Sequence, residues 1–491
     1  ILDLSLLDQT SEFGGSWETD EAVGPRSNSR FNEEYFDDDF SQISLSLSGD
    51  LNDSVEYIFT ASSFERDVEY TYDYSEYVEY YNYDGPSYTC DYYDYYYYYN
   101  ISGCQDPRMS YTQIDNHERD SYEVRIQSKG DSGFQWILGA FSETSKRDYE
   151  IAYLWPGANP GNLSFGVPNG QWWNLDNTRE EDVEAFFGEG SLSVNDKTKL
   201  TVGFRSYDQD TMVDAKDGYF GVFDGVEKVF NSNDSGVVPK VNIAHNLNDD
   251  VMVYGTYSEG FRASGINRVR PAQTAFIPET YDSDYLESLE FGFKSTLADG
   301  KLILNGAYFM MDWSDFQSTT YNLDFSTVAF VDNVGNAEIN GLELDATYKP
   351  NDTLTLSGYM VSNDPSLSED YYDVSGVLQA NSGNRLAYVP ELSYVLGLDK
   401  VLSIFGMPGY VSVDYSYTGD RYTSQANDLK LPSYAIANMR VGVESANRSM
   451  EVFISNLTDE NGYQSRYNDF GDIRRTQNRP RVIGLRFKYR Y

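Results

Sequence analysis

"DSYEVRIQSK", residues 120–129, alternates without a break: Tyr122, Val124 and Ile126 fall on one face, and Glu123, Arg125, Gln127 and Lys129 on the other. Successive side chains of a strand point to opposite faces, so this is a strand lying between two different solvents. The pattern recurs along the chain. "KLTVGFRSY" (199–207) sets Leu200, Val202 and Phe204 against Thr201, Arg205 and Tyr207. "ESLEFGFKS" (287–295) sets Leu289, Phe291 and Phe293 against Glu290, Gly292 and Lys294. "IANMRVGVE" (436–444) sets Ala437, Met439, Val441 and Val443 against Asn438, Arg440 and Glu444.

Spacing separates a soluble sheet from a membrane barrel. Short polar turns punctuate the chain at "GDLND" (49–53), "GDSG" (130–133), "NDKT" (195–198), "NLNDD" (246–250), "LADG" (297–300), "KPND" (349–352) and "NR" (447–448). Between the resulting hairpins lie long connections, at 66–117, 145–180, 208–234, 261–284, 312–337, 361–388, 418–431 and 459–479. Short turns at one end and long loops at the other define a transmembrane antiparallel β-barrel of the outer membrane, with the short turns periplasmic. Strands of about ten residues suit a tilted span of the bilayer. The spacing predicts about 18 strands, beginning with residues 2–10, and an even number returns both ends to the periplasmic side. No domain boundary interrupts the pattern, so the barrel is expected to occupy residues 1–491.

Composition agrees. The chain carries 36 Lys+Arg against 78 Asp+Glu, a formal net charge of -42, which excludes nucleic acid as a partner because phosphate binding needs a basic face. Its 44 Tyr, 27 Phe and 6 Trp argue for strands rather than for acidic disorder. No apolar run approaches the roughly 18 residues of a membrane helix. The chain opens on "ILDLSLLDQT", without Met or a signal peptide, and is expected to be a mature protein or a piece of one.

The last segment, "RVIGLRFKYRY", places Ile483, Leu485, Phe487, Tyr489 and Tyr491 on one face and Gly484, Arg486, Lys488 and Arg490 on the other. An alternating strand ending in an aromatic looks like the signal read by the outer-membrane assembly machinery. Arg205, Arg440 and Arg486 fall on polar faces and are expected to face the lumen.

Several stretches resemble the TonB-dependent receptor family. "YGTYSEGFRASGINR" (254–268), with Tyr257, Glu259, Gly260, Phe261 and Arg262, is similar to a segment of those barrels. "NVGNAEINGLELDATYKPNDTLTLSGYM" (333–360) is similar to a hairpin that follows it, and "FISNLTDENGY" (453–463) and "RPRVIGLRFKYRY" (479–491) to the last two strands. The resemblance covers residues 235–491 by motif and the first half by pattern. It implies a barrel of about 22 strands closed from inside by an N-terminal plug. Such a receptor binds a scarce, bulky nutrient outside, siderophore-, cobalamin- or oligosaccharide-like, and imports it with energy from TonB. No plug or TonB box stands in this chain, so the plug and the first strands are expected upstream of Ile1. A passive 18-stranded porin and a loop-displaying adhesin are the competing readings.

Within the 66–117 connection, residues 70–99 hold fifteen Tyr and six Asp/Glu with no Lys or Arg. Tyr offers a rigid apolar face and a polar tip. Tyr92, Tyr93, Tyr95, Tyr96, Tyr97, Tyr98 and Tyr99 are therefore the candidate ligand- or surface-partner-contacting residues, or else a structural loop. The only two cysteines, Cys90 and Cys104, flank them. A disulfide between them would stabilise the loop by roughly 3 kcal/mol in the chain-entropy model.

The acidic stretch "FDDDF" (36–40) raises Ca2+ as a ligand, but it lacks EF-hand spacing, and solvated charge, or bridging to lipopolysaccharide through divalent ions, is the favoured explanation. No other cofactor is expected. His117, His245, Glu343, Asp345 and Asp414 form no recognisable catalytic motif, so no enzyme is expected.

Overall fold

The structure, a computed structural model, describes residues 1–15, 18–76, 108–130, 132–155, 171–219, 228–267, 277–320, 329–373, 376–469 and 472–490. Eighteen strands form one sheet. They are β1 (Leu2–Phe13), β2 (Tyr35–Asn52), β3 (Val55–Asp73), β4 (Ser110–Ser128), β5 (Phe134–Leu154) and β6 (Gln171–Asn195). Next come β7 (Thr198–Tyr219), β8 (Lys228–Asn246), β9 (Val251–Arg262), β10 (Asp284–Leu297), β11 (Leu302–Ser314) and β12 (Ala337–Asn351). The last six are β13 (Leu354–Leu367), β14 (Leu392–Ile404), β15 (Met407–Thr418), β16 (Tyr434–Ser445), β17 (Arg448–Ser455) and β18 (Val482–Tyr489).

Each strand pairs antiparallel with the next. The connections alternate between two or a few residues and long excursions, as the turn spacing predicts. Directly opposed residues share a face, and the apolar rows line up accordingly: Phe59 faces Val124, which faces Ala140. The buried clusters lie at the long-connection end, one built on Met109, Ile151, Trp155, Trp173 and Leu175, another on Phe316, Val334, Ala337 and Leu367.

The meander does not close on itself. Among the described residues no strand pairing joins β18 to β1, and each has a single neighbour. Both stand as open edges. Ile483, Leu485 and Phe487 are 69%, 76% and 67% exposed, and Leu2, Leu4 and Leu6 are similarly bare.

Three expectations need correction. β2 to β8 run 18 to 25 residues, where β9 to β18 run 8 to 15. A tilted strand crosses the bilayer in about 9–11 residues, so the first group stands well clear of it. The connections expected at 66–117, 145–180 and 208–234 therefore begin and end in paired strand. Above the membrane both faces meet water, the apolar alternation disappears, and the backbone still has to pair. Second, a long connection at 14–34 was hidden by its mixed composition. Third, an eighth short turn, Phe405–Gly406, carries none of the polar residues by which the others were read.

Candidate functional site

The inner face of the wall follows from period two. Tyr122 and Val124 lie on the lipid-facing side of β4, so Tyr111, Gln113, Asp115 and His117 face inward. Register then carries that face across the sheet. Phe13 opposes Phe36, Phe36 opposes Tyr70, Tyr72 opposes Tyr111, Tyr111 opposes Tyr153, and Tyr153 opposes Trp173. The rings form a continuous rail over six strands. Centroids are 5.9 Å apart for Phe13–Phe36, 5.8 Å for Phe36–Tyr70, 6.0 Å for Tyr70–Tyr111, 5.1 Å for Tyr111–Tyr153 and 5.3 Å for Tyr153–Trp173. The Tyr70 and Tyr111 hydroxyls both donate to Gln113 Oε1 at 2.6 Å.

This rail sits at the foot of the 74–109 connection, which holds the tyrosine-rich segment. Tyr92, Tyr93, Tyr95–Tyr99, Cys90 and Cys104 themselves lie outside the described residues, as does Tyr491. Sequence reading missed the rail because its members come from six separate segments. The aromatic dipeptides and alternations in "EYTYDY", "SYTQ", "AYLW" and "QWW" were the available signal, but only the register aligns them.

Below the rail the inner wall carries paired charge. Arg66 donates Nε and Nη2 to the Asp38 carboxylate at 2.8 and 2.7 Å, Arg147 binds Asp115 through two contacts, and Arg179 binds Glu181 at 2.6 Å. Register puts Arg205, Arg440 and Arg486, the three arginines expected in the lumen, on this same face of the sheet. Arg205 lies over the Phe141 ring at 5.3 Å, Arg440 donates to Ser412 Oγ at 3.1 Å, and Arg486 pairs with Glu451 at 2.8 Å. Glu451 also accepts from Tyr410 at 2.5 Å. Each arginine is thus engaged by the wall itself. On the outer side of the same strands, above the lipid-facing rows, stand Glu65, Asp67, Glu118, Asp120, Asp182 and Asp210; Glu65 opposes Glu118, Asp182 opposes Asp210, and Lys146 opposes Glu118 from the other side.

Toward the short turns, the inner wall of β6–β10 holds a cleft of about 410 Å³ lined by Lys199, Lys240, Lys294, Glu189 and Glu290. Lys240 pairs with Glu189 at 3.1 Å, and Tyr254 donates to Glu290 at 2.6 Å.

The motif residues prove to be connectors. Tyr257 donates to Glu259 at 2.5 Å. Phe261 stacks on Tyr207 at 3.5 Å. Arg262 ion-pairs with Asp284, which is 1% exposed, and donates to the Gln317 carbonyl at 2.7 Å beneath Trp313. The Gln317 amide NH donates to the same Asp284 at 2.9 Å, so one carboxylate ties β9, β10 and the segment after β11 together. A Cβ on Gly260 would meet nothing within 4 Å. In the 453–463 motif, Asn456 donates to the carbonyls of Glu460 and Arg479 and holds the entry to the last connection.

The arginine cluster near the C-terminus builds a clasp. Residues Glu18–Asp20, Tyr463–Asp469 and Asp472–Gln477 form a three-stranded sheet joining the 14–34 and 456–481 connections. Arg30 lies within 3.1 to 3.4 Å of Glu18, Asp20, Glu34 and Glu76. Arg474 pairs with Glu76 and Glu18, and Arg475 with Glu21. Hydrogen bonding from Arg475, ahead of Arg466, holds the Glu21 carboxyl below its usual range. Arg26 pairs with Asp459 at 2.9 Å, and that bond, with the Arg481 backbone NH, lowers the Asp459 carboxyl to about 2. The two open edges of the wall are therefore bridged above the membrane by their loops.

"FDDDF" lies inside β2, not in a loop, so its carboxylates alternate between faces, and no group of three or more His, Cys, Asp or Glu among the described residues is arranged to hold a metal. His117 pairs with Ser145 at 2.9 Å and His245 with Thr198 at 2.9 Å, at separate places on the wall. Asp345 accepts from Asn305 and Asp414 from Asn438, as a polar inner wall requires.

Comparison with known proteins gives one family. The family described as "TonB dependent receptor-like, beta-barrel" matches residues 2–457. The pesticin receptor of Yersinia pestis is 24% identical over 243 residues, which is 49% of this chain and 33% of that protein. The chain thus matches a third of the length of that relative. Among solved structures, the ferric yersiniabactin uptake receptor FyuA from Yersinia pestis superposes with a TM-score of 0.78 at 14% identity, over 99% of this chain and 67% of that one. The siderophore receptor PiuA from Acinetobacter baumannii gives 0.72 at 14% identity, over 100% and 72%.

Proposed function

Because the chain belongs to the TonB-dependent receptor-like β-barrel family, we propose that it is the barrel portion of an outer-membrane receptor and active transporter, importing a scarce, bulky nutrient on energy delivered by TonB. It is not an enzyme, and its place is the outer membrane of a Gram-negative bacterium. The observation that carries the reading is the open wall. Strand edges in lipid cannot be left unpaired, because nothing there satisfies their backbone groups. Further strands of the same polypeptide, preceding Ile1, fill the interval between β18 and β1, and a plug preceding them fills the lumen. A passive 18-stranded porin would instead need β1 and β18 to pair with each other.

A ferric siderophore is the first cargo to test, ahead of cobalamin and oligosaccharides; the names of the two receptors of similar structure support that order. Tyr92, Tyr93 and Tyr95–Tyr99 contact it from the connection between β3 and β4, and a Cys90–Cys104 disulfide pins that loop. The TonB complex is the periplasmic partner, and outer-membrane lipid and lipopolysaccharide surround the wall. The test is accumulation of radioactive iron from a panel of ferric siderophores, in cells whose sole receptor is the full-length protein. Uptake in tonB-positive cells and its loss in tonB-negative cells is the expected result. Equal uptake in both assigns a passive pore, and surface binding without uptake assigns a loop-displaying adhesin.

A further inference from the structure

Seven of the eight short turns contain Asn or Asp in their sequence: Asn52–Asp53, Asp131, Asn195–Asp196, Asn248–Asp249, Asp299, Asn351–Asp352 and Asn447. The eighth is Phe405–Gly406, between Ile404 and Met407. Phe405 is 96% exposed, and its φ is 51° with Gly406 at 81°. A two-residue hairpin turn with both φ positive favours Asn-Gly or Asp-Gly, and a bulky aromatic is the unfavourable choice at its first position. The site therefore holds an exposed apolar side chain in a strained backbone conformation, where polar residues fold more readily.

Its surroundings say what covers it. The outward row of β14 runs Leu396, Leu398, Lys400, Leu402, Ile404, and crosses the turn to Met407 by the Ile404–Met407 pairing. Leu398, Leu402 and Met407 are bare on the lipid-facing side of the wall. Lys400, the one charge in that row, turns its ammonium sideways onto Thr353 Oγ1 at 2.8 Å. At the same end of β17 and β18, Arg448 lies over the Tyr489 ring at 5.7 Å on the lipid-facing side. Tyrosine is enriched at headgroup level. Beyond Lys400 the row continues through Leu402, Ile404 and Met407 to the tip with no further polar residue.

We propose that the turn Ile404–Met407 is a membrane-anchoring tip: Phe405 inserts among phospholipid acyl chains at the periplasmic surface of the inner leaflet, continuing the lipid-facing wall around the end of the hairpin. The occupant is the phospholipid surface, not a periplasmic protein, because the patch is continuous with the lipid contact of β14 and β15 and the adjoining tips Asp352 and Asn447 are polar. The proposal rests on the barrel fold and is independent of cargo and of TonB.

The test uses the full-length protein reconstituted in phosphatidylethanolamine–phosphatidylglycerol vesicles, with and without brominated acyl chains. The emission added by Phe405→Trp over the unsubstituted protein is expected to fall about twofold or more with brominated lipid and to resist aqueous iodide, while that added by Asn447→Trp behaves in reverse. Iodide quenching of the Phe405→Trp signal equal to that of Asn447→Trp, without an effect of brominated lipid, overturns the proposal and leaves the tip to an aqueous protein partner. Should the variant fail to assemble, an acyl-chain diazirine lipid applied to the unsubstituted protein reads the same contact: labelling within 402–407 supports it, and labelling confined to higher positions on the wall overturns it.

Discussion

Single residues set how closely neighbouring strands approach. A Cβ at Gly139 would lie 2.2 Å from Phe187 Cζ, and one at Gly341 equally close to Phe309 Cζ. Each ring lies flat across the glycine directly opposite it on the inner face. Gly341→Val is expected to lower barrel stability by about 1–3 kcal/mol through displacement of Phe309. Denaturant unfolding of the reconstituted barrel measures this, and an unchanged midpoint would mean the ring moves aside freely. The Asp284 carboxylate is a second such point, buried under Arg262 and the Gln317 amide. Asp284→Ala leaves those donors without their acceptor, and a loss of about 3 kcal/mol is expected in the local structure at 263–267 and 277–283, read as faster proteolysis there. Much at this scale was legible. The inward placement of Arg205, Arg440 and Arg486 followed from alternation alone. Their partners did not, because Glu451 and Ser412 reach them only through register between separate segments.

At the scale of elements, the clasp between the 14–34 and 456–481 connections is the feature most open to perturbation. Asp459, with its pKa held near 2, lies below the usual unfolded value of about 3.9. Its contribution is therefore complete above about pH 4 and disappears as pH falls toward 2. Amide exchange in residues 18–30 should accelerate over that window, and Asp459→Asn should remove that part of the pH dependence. Arg474→Ala should free the 14–34 connection, because it leaves Glu76 and Glu18 short of a buried partner, while the melting of the wall stays put. Simultaneous loss of the wall would show that the clasp holds the barrel together. Sequence reading found the hairpins wherever a polar turn marked them. It failed at the apolar turn Phe405–Gly406, and it cut β2 to β8 short, since an apolar face ends where the lipid ends and backbone pairing does not.

For the whole molecule, eighteen strands, the alternation and the asymmetry of turns and loops were all legible before any coordinates. The aromatic rail and the clasp were not, since the rail is assembled from six strands between Phe13 and Trp173 and the clasp from the two ends of the chain. The open interval between β18 and β1 could be anticipated only through the family resemblance, because an edge strand and a central strand carry the same alternation. That interval is the centre of this account, and the most direct test is the intact mass and N-terminal sequence of the native protein purified from its membrane. The account predicts a polypeptide longer than this chain by a plug and the missing strands, on the order of 200 residues on typical domain sizes. A mature protein that starts at Ile1, together with ready disulfide trapping between Leu4→Cys and Leu485→Cys, would mean that β1 and β18 close the ring themselves, and would contradict it.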